Sequence, residues 1–127
     1  MAKAYPLDSP PEDSAESWIF KRWFCEVFEF LISRIKLTTE TTTYTVKADV
    51  FYVRGDATSG AFAVTLPTAL NSQGRQLLIK KIDVSANAVT VTRAGTDTIE
   101  GANTVVLGAQ WDKTLLISNG VDTWEIV

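Results

Sequence analysis

The chain predicts a mainly β protein: an antiparallel β-sandwich or barrel of about seven or eight strands, preceded by an extended arm and one N-terminal amphipathic helix. Three observations predict it. Beyond residue 37, short runs rich in Val, Ile, Thr and aromatic residues alternate with Gly, Asn and Asp turn signals. Residues 14–37 repeat their polar positions at a helical period. Residues 1–13 hold three of the four prolines, Pro6, Pro10 and Pro11.

Proline lacks an N–H and biases its neighbour away from the helical region, so 1–13 reads as an arm that orders only when something holds it. The helix then has a start signal. Asp13 and Ser14 are good caps, and Asp13 with Glu16 has capping-box spacing. Arg22, Glu26, Glu29, Ser33 and Lys36 form one narrow polar stripe. Nearly everything around that stripe is apolar, and Ser17–Ile35 contains six of the thirteen aromatic residues. So wide an apolar sector predicts a helix covered on most sides. Phe20, Phe24, Val27, Leu31 and Ile35 can form a heptad-like seam. Trp18, Trp23, Phe28 and Phe30 lie outside it and still need a cover. Lys21, Arg22, Glu26, Glu29 and Arg34 interrupt the run, so no membrane span is expected.

After Leu37 the threonine-rich TTETTTYTV switches the chain into β propensity. The expected strands are Tyr44–Val53, FAVTL, RQLLIKKI, AVTVT, TIEGANTVVL with a central Gly-Ala-Asn turn, KTLLIS and TWEIV. RGDATSG, PTALNSQG, DVSAN, RAGTD and NGVD are the turns between them. No convincing repeat of 20–50 residues is read. The expected division is an arm and aromatic helix for attachment or oligomerisation at 1–37, and a β-sandwich at 38–127.

Composition excludes several function classes. The net charge is -3 and no basic face stands out, which argues against a nucleic-acid partner. Histidine is absent, which removes the commonest general base and metal ligand, along with Ser–His and Cys–His nucleophiles within one chain. No catalytic residue, metal site or cofactor is nominated, and no enzymatic activity is expected. Cys25, the single cysteine, reads as a small buried apolar residue. No signal or transit peptide is read at the N-terminus. Asp97, Glu100 and Asn103 lack calcium-loop spacing and read as solvated turn residues. Arg54-Gly55-Asp56 reads as the end of a strand and a turn, not an adhesion motif. Lys80 and Lys81 fall on opposite faces of their strand, so one lies inward or at an edge; an edge lysine that blocks pairing is the plain expectation.

From Ala61 onward the chain resembles a β-module of tailed-bacteriophage virion proteins, of the tail-fibre, head-spike and capsid-decoration type. The resemblance is carried by the Thr65–Pro67 step, Gly74 before a basic strand at Ile79–Lys81, and the short strand Ala88–Thr92. It continues through Asp97-Thr98-Ile99-Glu100-Gly101 and a terminal hairpin at Ser118–Trp124. It covers about half the chain. It implies a structural virion protein, a short trimeric fibre, head spike or capsid decoration protein, located on the virion and in the host cytoplasm during assembly. It implies homotrimers and other virion proteins (capsid, tail or baseplate) as partners of residues 1–37.

That expectation gives the aromatic helix a role. Trp18, Phe20, Trp23, Phe24, Val27, Phe28, Leu31 and Ile35 are the candidate oligomer or partner interface. Helices bundled about an axis hide such faces, each large buried side chain contributing roughly 1.5–3 kcal/mol. The alternatives are a helix packed on its own sheet and an interfacial membrane anchor, the latter disfavoured by Glu26 and Glu29 on the polar stripe. A second functional class is a receptor- or glycan-binding tip module that contacts host surface glycans. Trp111, in the loop-like GAQWD, is its candidate contact, whereas Trp124 reads as core.

Overall fold

The computed structural model describes residues 21–26 and 36–127. These fall in two compact units divided between Ile35 and Lys36. In the first unit, residues 21–26 are helical, all six are exposed, and Arg22 pairs with Glu26 one turn on at 3.3 Å. Cys25 is exposed, not buried as expected, like the other residues of this turn. The expected arm at 1–13 and the rest of the expected helix up to Ile35 lie outside the described residues.

The second unit has ten strands: β1 (Lys36–Glu40), β2 (Tyr44–Thr45), β3 (Val50–Gly55), β4 (Phe62–Thr65), β5 (Gln76–Lys81), β6 (Val89–Thr92), β7 (Thr98–Ile99), β8 (Thr104–Leu107), β9 (Lys113–Ser118) and β10 (Thr123–Ile126). Lys36 and Leu37, assigned by periodicity to the helix, open β1 instead. A six-stranded sheet has the order β1-β3-β5-β9-β10-β7, and a four-stranded sheet the order β2-β4-β6-β8. Both sheets share one core, with Val53, Leu77, Ile79 and Leu116 from the larger and Val64, Val89, Val91 and Leu107 from the smaller.

The expectation of antiparallel sheets is corrected. Odd and even strands up to β6 alternate between the two sheets, and each pairs in parallel with its predecessor on the same sheet: β1 with β3, β3 with β5, β2 with β4 and β4 with β6. The chain thus coils, laying one strand on each sheet per circuit. β8 and β9 then close the stack by pairing antiparallel to β6 and β5. The physical reason for the miss is that inward–outward alternation is the same for both pairing senses.

One expected strand proves to be a pair. Tyr44–Val53 breaks at a turn where the Val50 N–H donates to the Lys47 carbonyl, 3.2 Å, so that β2 and β3 lie on different sheets. The Arg75 guanidinium pins this turn, donating to the carbonyls of Lys47 and Val50. TIEGANTVVL divides at its expected Gly-Ala-Asn turn, β7 lying in one sheet and β8 in the other.

The coils are unequal in length, as expected of a chain without a fixed repeat: Leu37 registers with Tyr52, 15 residues on, and Tyr44 with Val64, 20 on. Tyr52 registers with Leu78, 26 residues on, and Phe62 with Val89, 27 on. The corners after β3 and β5 turn on Asp-x-Thr and Asp-x-Ser: Asp56 accepts from Thr58 N–H at 3.0 Å, and Asp83 from Ser85 N–H at 3.0 Å. Such side-chain-to-backbone bonds fix a turn locally.

Closure is also chemically specified. Asn119 Oδ1 accepts from the N–H groups of Val121, Asp122 and Thr123 and so shapes the β9–β10 turn. Gly120 has φ 79°, and a Cβ there would stand 2.6 Å from Gln73 Cγ. Trp124 is fully buried, as its strand position predicts, and its indole N–H donates to the Pro67 carbonyl at 3.0 Å. The Thr65–Pro67 step and the terminal hairpin thus meet in one place.

Candidate functional site

Lys80 and Lys81 stand at the end of β5, a strand flanked by β3 and β9, so neither is an edge lysine. Alternation sends them to opposite faces. Lys81 is fully buried and its ammonium lies 2.8 Å from Asp83 Oδ2. Asp83 Oδ1 accepts from the Ala57 N–H of the preceding corner at 2.7 Å. Ser85 Oγ donates to the same carboxylate, and Asn87 Nδ2 donates to the Ala57 carbonyl at 2.9 Å. Burial alone would push the Asp83 carboxyl up. The Lys81 ammonium, the Ser85 hydroxyl and the N–H groups of Ala57 and Ser85 outweigh it and hold the group well below the usual carboxylate range. Every oxygen of this knot faces protein donors, so it is a staple between coils.

Lys80 goes outward and meets the loop between β8 and β9. That loop is tied down at both ends. Asp112 Oδ2 accepts from Gly108 and Ala109 N–H groups at 3.0 and 2.8 Å. Lys81 N–H donates to the Asp112 carbonyl and Trp111 N–H to the Lys81 carbonyl, each at 2.8 Å. Gln110 Nε2 donates to the Ile82 carbonyl at 3.1 Å. The result holds Trp111 at φ 73°, a left-handed backbone that a bulky residue rarely adopts. Its side chain is 56 % exposed, and the Lys80 ammonium sits 5.1 Å from the ring centroid. Such a cation–ring contact is attractive through the ring quadrupole.

A second surface feature is an open concavity of about 310 Å³ lined by Thr41, Thr42, Thr43, Ser59, Gly60, Ala61 and Phe62. It offers hydroxyls but no charged side chain, and its one aromatic ring, Phe62, is already committed to the core.

The remaining nominated residues divide as follows. Trp18, Phe20, Val27, Phe28, Leu31 and Ile35 lie outside the described residues. Trp23 and Phe24 are 56 % and 50 % exposed. Asp97, Glu100 and Asn103 do not converge. Asp97 Oδ2 accepts from the Ala69 N–H and Glu100 Oε2 from the Ile126 N–H, both at 2.8 Å, so these two carboxylates hold neighbouring segments. Arg54 and Gly55 belong to β3, with Gly55 buried, and Asp56 opens the corner. The sequence reading missed the Lys81–Asp83 staple; the recurrence of Asp-x-Thr and Asp-x-Ser after successive strands was the available signal. Among the described residues, no group of His, Cys, Asp and Glu could hold a metal ion, and no helix is long and apolar enough to cross a membrane.

A scan against protein-family models finds no match for this chain, and a search of curated proteins finds no significant match. The resemblance to phage virion modules therefore rests on the quoted residues alone.

Proposed function

We propose that this is a structural virion protein of a tailed bacteriophage: a short trimeric fibre, head spike or capsid decoration protein in which residues 1–35 attach and oligomerise. The observation that carries the reading is the coiled stack. Each circuit adds a strand to both sheets, and a closing hairpin completes one end. Such stacks grow along one direction and bury a continuous core between neighbours, which suits a projecting or capping module. The residues that resemble virion modules, from the Thr65–Pro67 step to Trp124, supply the later strands of this stack and its closing hairpin. No catalytic role is proposed for any residue.

The test is the native mass of the full chain by light scattering. A trimer of the 14.0-kDa chain is expected. Phe24→Asp combined with Phe28→Asp is expected to break it while the β-type circular dichroism persists. A buried unpaired charge costs several kcal/mol. A wild-type monomer, or a double variant of unchanged mass, overturns the oligomer and its interface.

A second reading, a receptor- or glycan-binding tip module, is favoured by one specific observation. Trp111 is exposed on a loop whose backbone is fixed by hydrogen bonds, in a conformation that costs of order 1–3 kcal/mol for a non-glycine residue. Rigid exposed aromatics bind with little loss of conformational entropy.

A further inference from the structure

Trp111 does not stand alone. Arg54 of β3 registers with Lys80 of β5, and Lys80 registers with Lys113 of β9. Residues in register on adjacent strands project to the same face, so the three cations form a row across the outer face of the larger sheet. With strands about 4.8 Å apart, the row spans ~10 Å. Like charges placed directly opposite are destabilising in a sheet. Among the described residues, none of the three forms an ion pair, whereas Lys36 and Lys81 both do. Arg54 reaches only Thr39 Oγ1, at 3.4 Å. The adjacent carboxylate, Asp112, is taken up by two backbone N–H groups. The positive row thus has no ion-pair partner among the described residues, and the ring of Trp111 stands beside its middle member.

The geometry points to a binding surface for an acidic saccharide, with the Trp111 ring stacking on the apolar face of a sugar and Arg54, Lys80 and Lys113 meeting its carboxylates. This rests on the glycan-binding reading and adds the ligand's charge class. A ring face with a neighbouring row of cations matches a chain that carries both apolar C–H faces and regularly spaced anionic groups. A nucleic acid offers bases and phosphates in a related pattern, but its recognition draws on an extended basic face, and here the cations form a single row of three. A short saccharide needs only the local row.

The test is titration calorimetry of the full chain with an oligogalacturonate, a neutral maltose-series oligosaccharide of matched length, and an oligothymidylate. Binding of the oligogalacturonate at least about tenfold tighter than of the neutral sugar, weakening as salt screens the row, is expected. Trp111→Asn keeps the fold because Asn tolerates left-handed φ; it and Lys113→Gln should each weaken binding about tenfold or more, with unchanged circular dichroism. Equal binding of acidic and neutral sugars overturns the acidic assignment and leaves the glycan reading standing. No binding of either sugar overturns both. Tighter binding of the oligothymidylate, or wild-type affinity in Trp111→Asn, also overturns the proposal.

Discussion

Asp56 and Asp83 open the same corner on neighbouring circuits of the chain, yet only one of them goes inside. Asp56 accepts from the hydroxyl and N–H of Thr58, at 2.6 and 3.0 Å, beside solvent. Asp83 makes the equivalent bonds to Ser85, but is buried and adds Lys81 and the Ala57 N–H. The difference lies in the residue that ends the strand before each corner. Where the second circuit has Lys81, the first has Gly55, and the two are in register.

A lysine that alternation sends inward must bring a counter-charge or lose its own. The corner carboxylate is the nearest group able to follow it. Gly55, with no side chain, makes no such demand, and its corner stays solvated. The buried version also gains a function the exposed one lacks: through Ala57 it ties one coil to the next. Burial of a charge here is decided by the partner on the strand, not by the turn motif.

The largest expected effect breaks the buried member. Asp83→Ala leaves the Lys81 ammonium buried with only the Asp83 carbonyl, 3.2 Å away, and strips the Ala57 N–H of its acceptor. Removing one partner of a buried pair costs roughly 3–5 kcal/mol, read as a fall in the urea midpoint at pH 7. Lys81→Met should cost less, because the carboxylate keeps the donors on Ala57 and Ser85. The pH dependence follows from the sign of the shift. The Asp83 carboxyl is depressed in the fold, so its contribution is fully present above the unfolded value near ~3.9 and is lost as pH falls through the lower folded value. Wild type should therefore lose stability below about pH 4 more steeply than Asp83→Ala. Some slope will remain in the variant, because Asp49 and Asp56 are also lowered, chiefly by the Lys36 ammonium and by the Thr58 hydroxyl. Identical acid limbs would remove Asp83 from the account.

The same contrast marks what a sequence discloses. The extents of FAVTL, AVTVT, KTLLIS and TWEIV are legible, because each alternates and ends at a turn former. So is the inward Trp124, and so is the fact that Lys80 and Lys81 part company. Pairing sense is not legible: β3 and β5 alternate identically whether parallel or antiparallel. The break inside Tyr44–Val53 is hidden because its turn is held by Arg75, 25 residues beyond Val50. At the candidate site, the loop position of Trp111 is visible in GAQWD. Its left-handed backbone and the Arg54–Lys80–Lys113 row depend on the register of three strands and on backbone bonds to Lys81. Local patterns report which way a residue faces; they do not report what it meets.

A smaller effect tests why the first circuit has glycine where the second has lysine. A Cβ on Gly55 would stand 2.9 Å from Val89 Cγ2 and 3.1 Å from Cγ1. Gly55→Ala should cost about 1–3 kcal/mol through overpacking. Val89→Ala opens room at a cost of its own. The double variant should be less destabilised than the sum of the singles, by roughly 0.5–3 kcal/mol for side chains in contact. Strict additivity by urea denaturation would show that β6 does not crowd Gly55, and the glycine would need another cause.

The smallest expected effect is at the exposed corner. Asp56→Ala removes the acceptor of Thr58, but Thr58 is exposed and water replaces the lost bonds. The coil-to-coil bonds survive, since the Asp56 N–H still donates to the Glu40 carbonyl at 2.9 Å and the Ile82 N–H to the Gly55 carbonyl at 2.9 Å. The urea midpoint should therefore move by a small fraction of the Asp83→Ala change, with an unchanged denaturant slope. Were Asp56→Ala to rival Asp83→Ala, the corner motif itself would be holding the coils in place, and burial with Lys81 would be incidental. A small loss at Asp56 beside a large one at Asp83 would assign the difference to what surrounds the two carboxylates, since the turn chemistry is common to both.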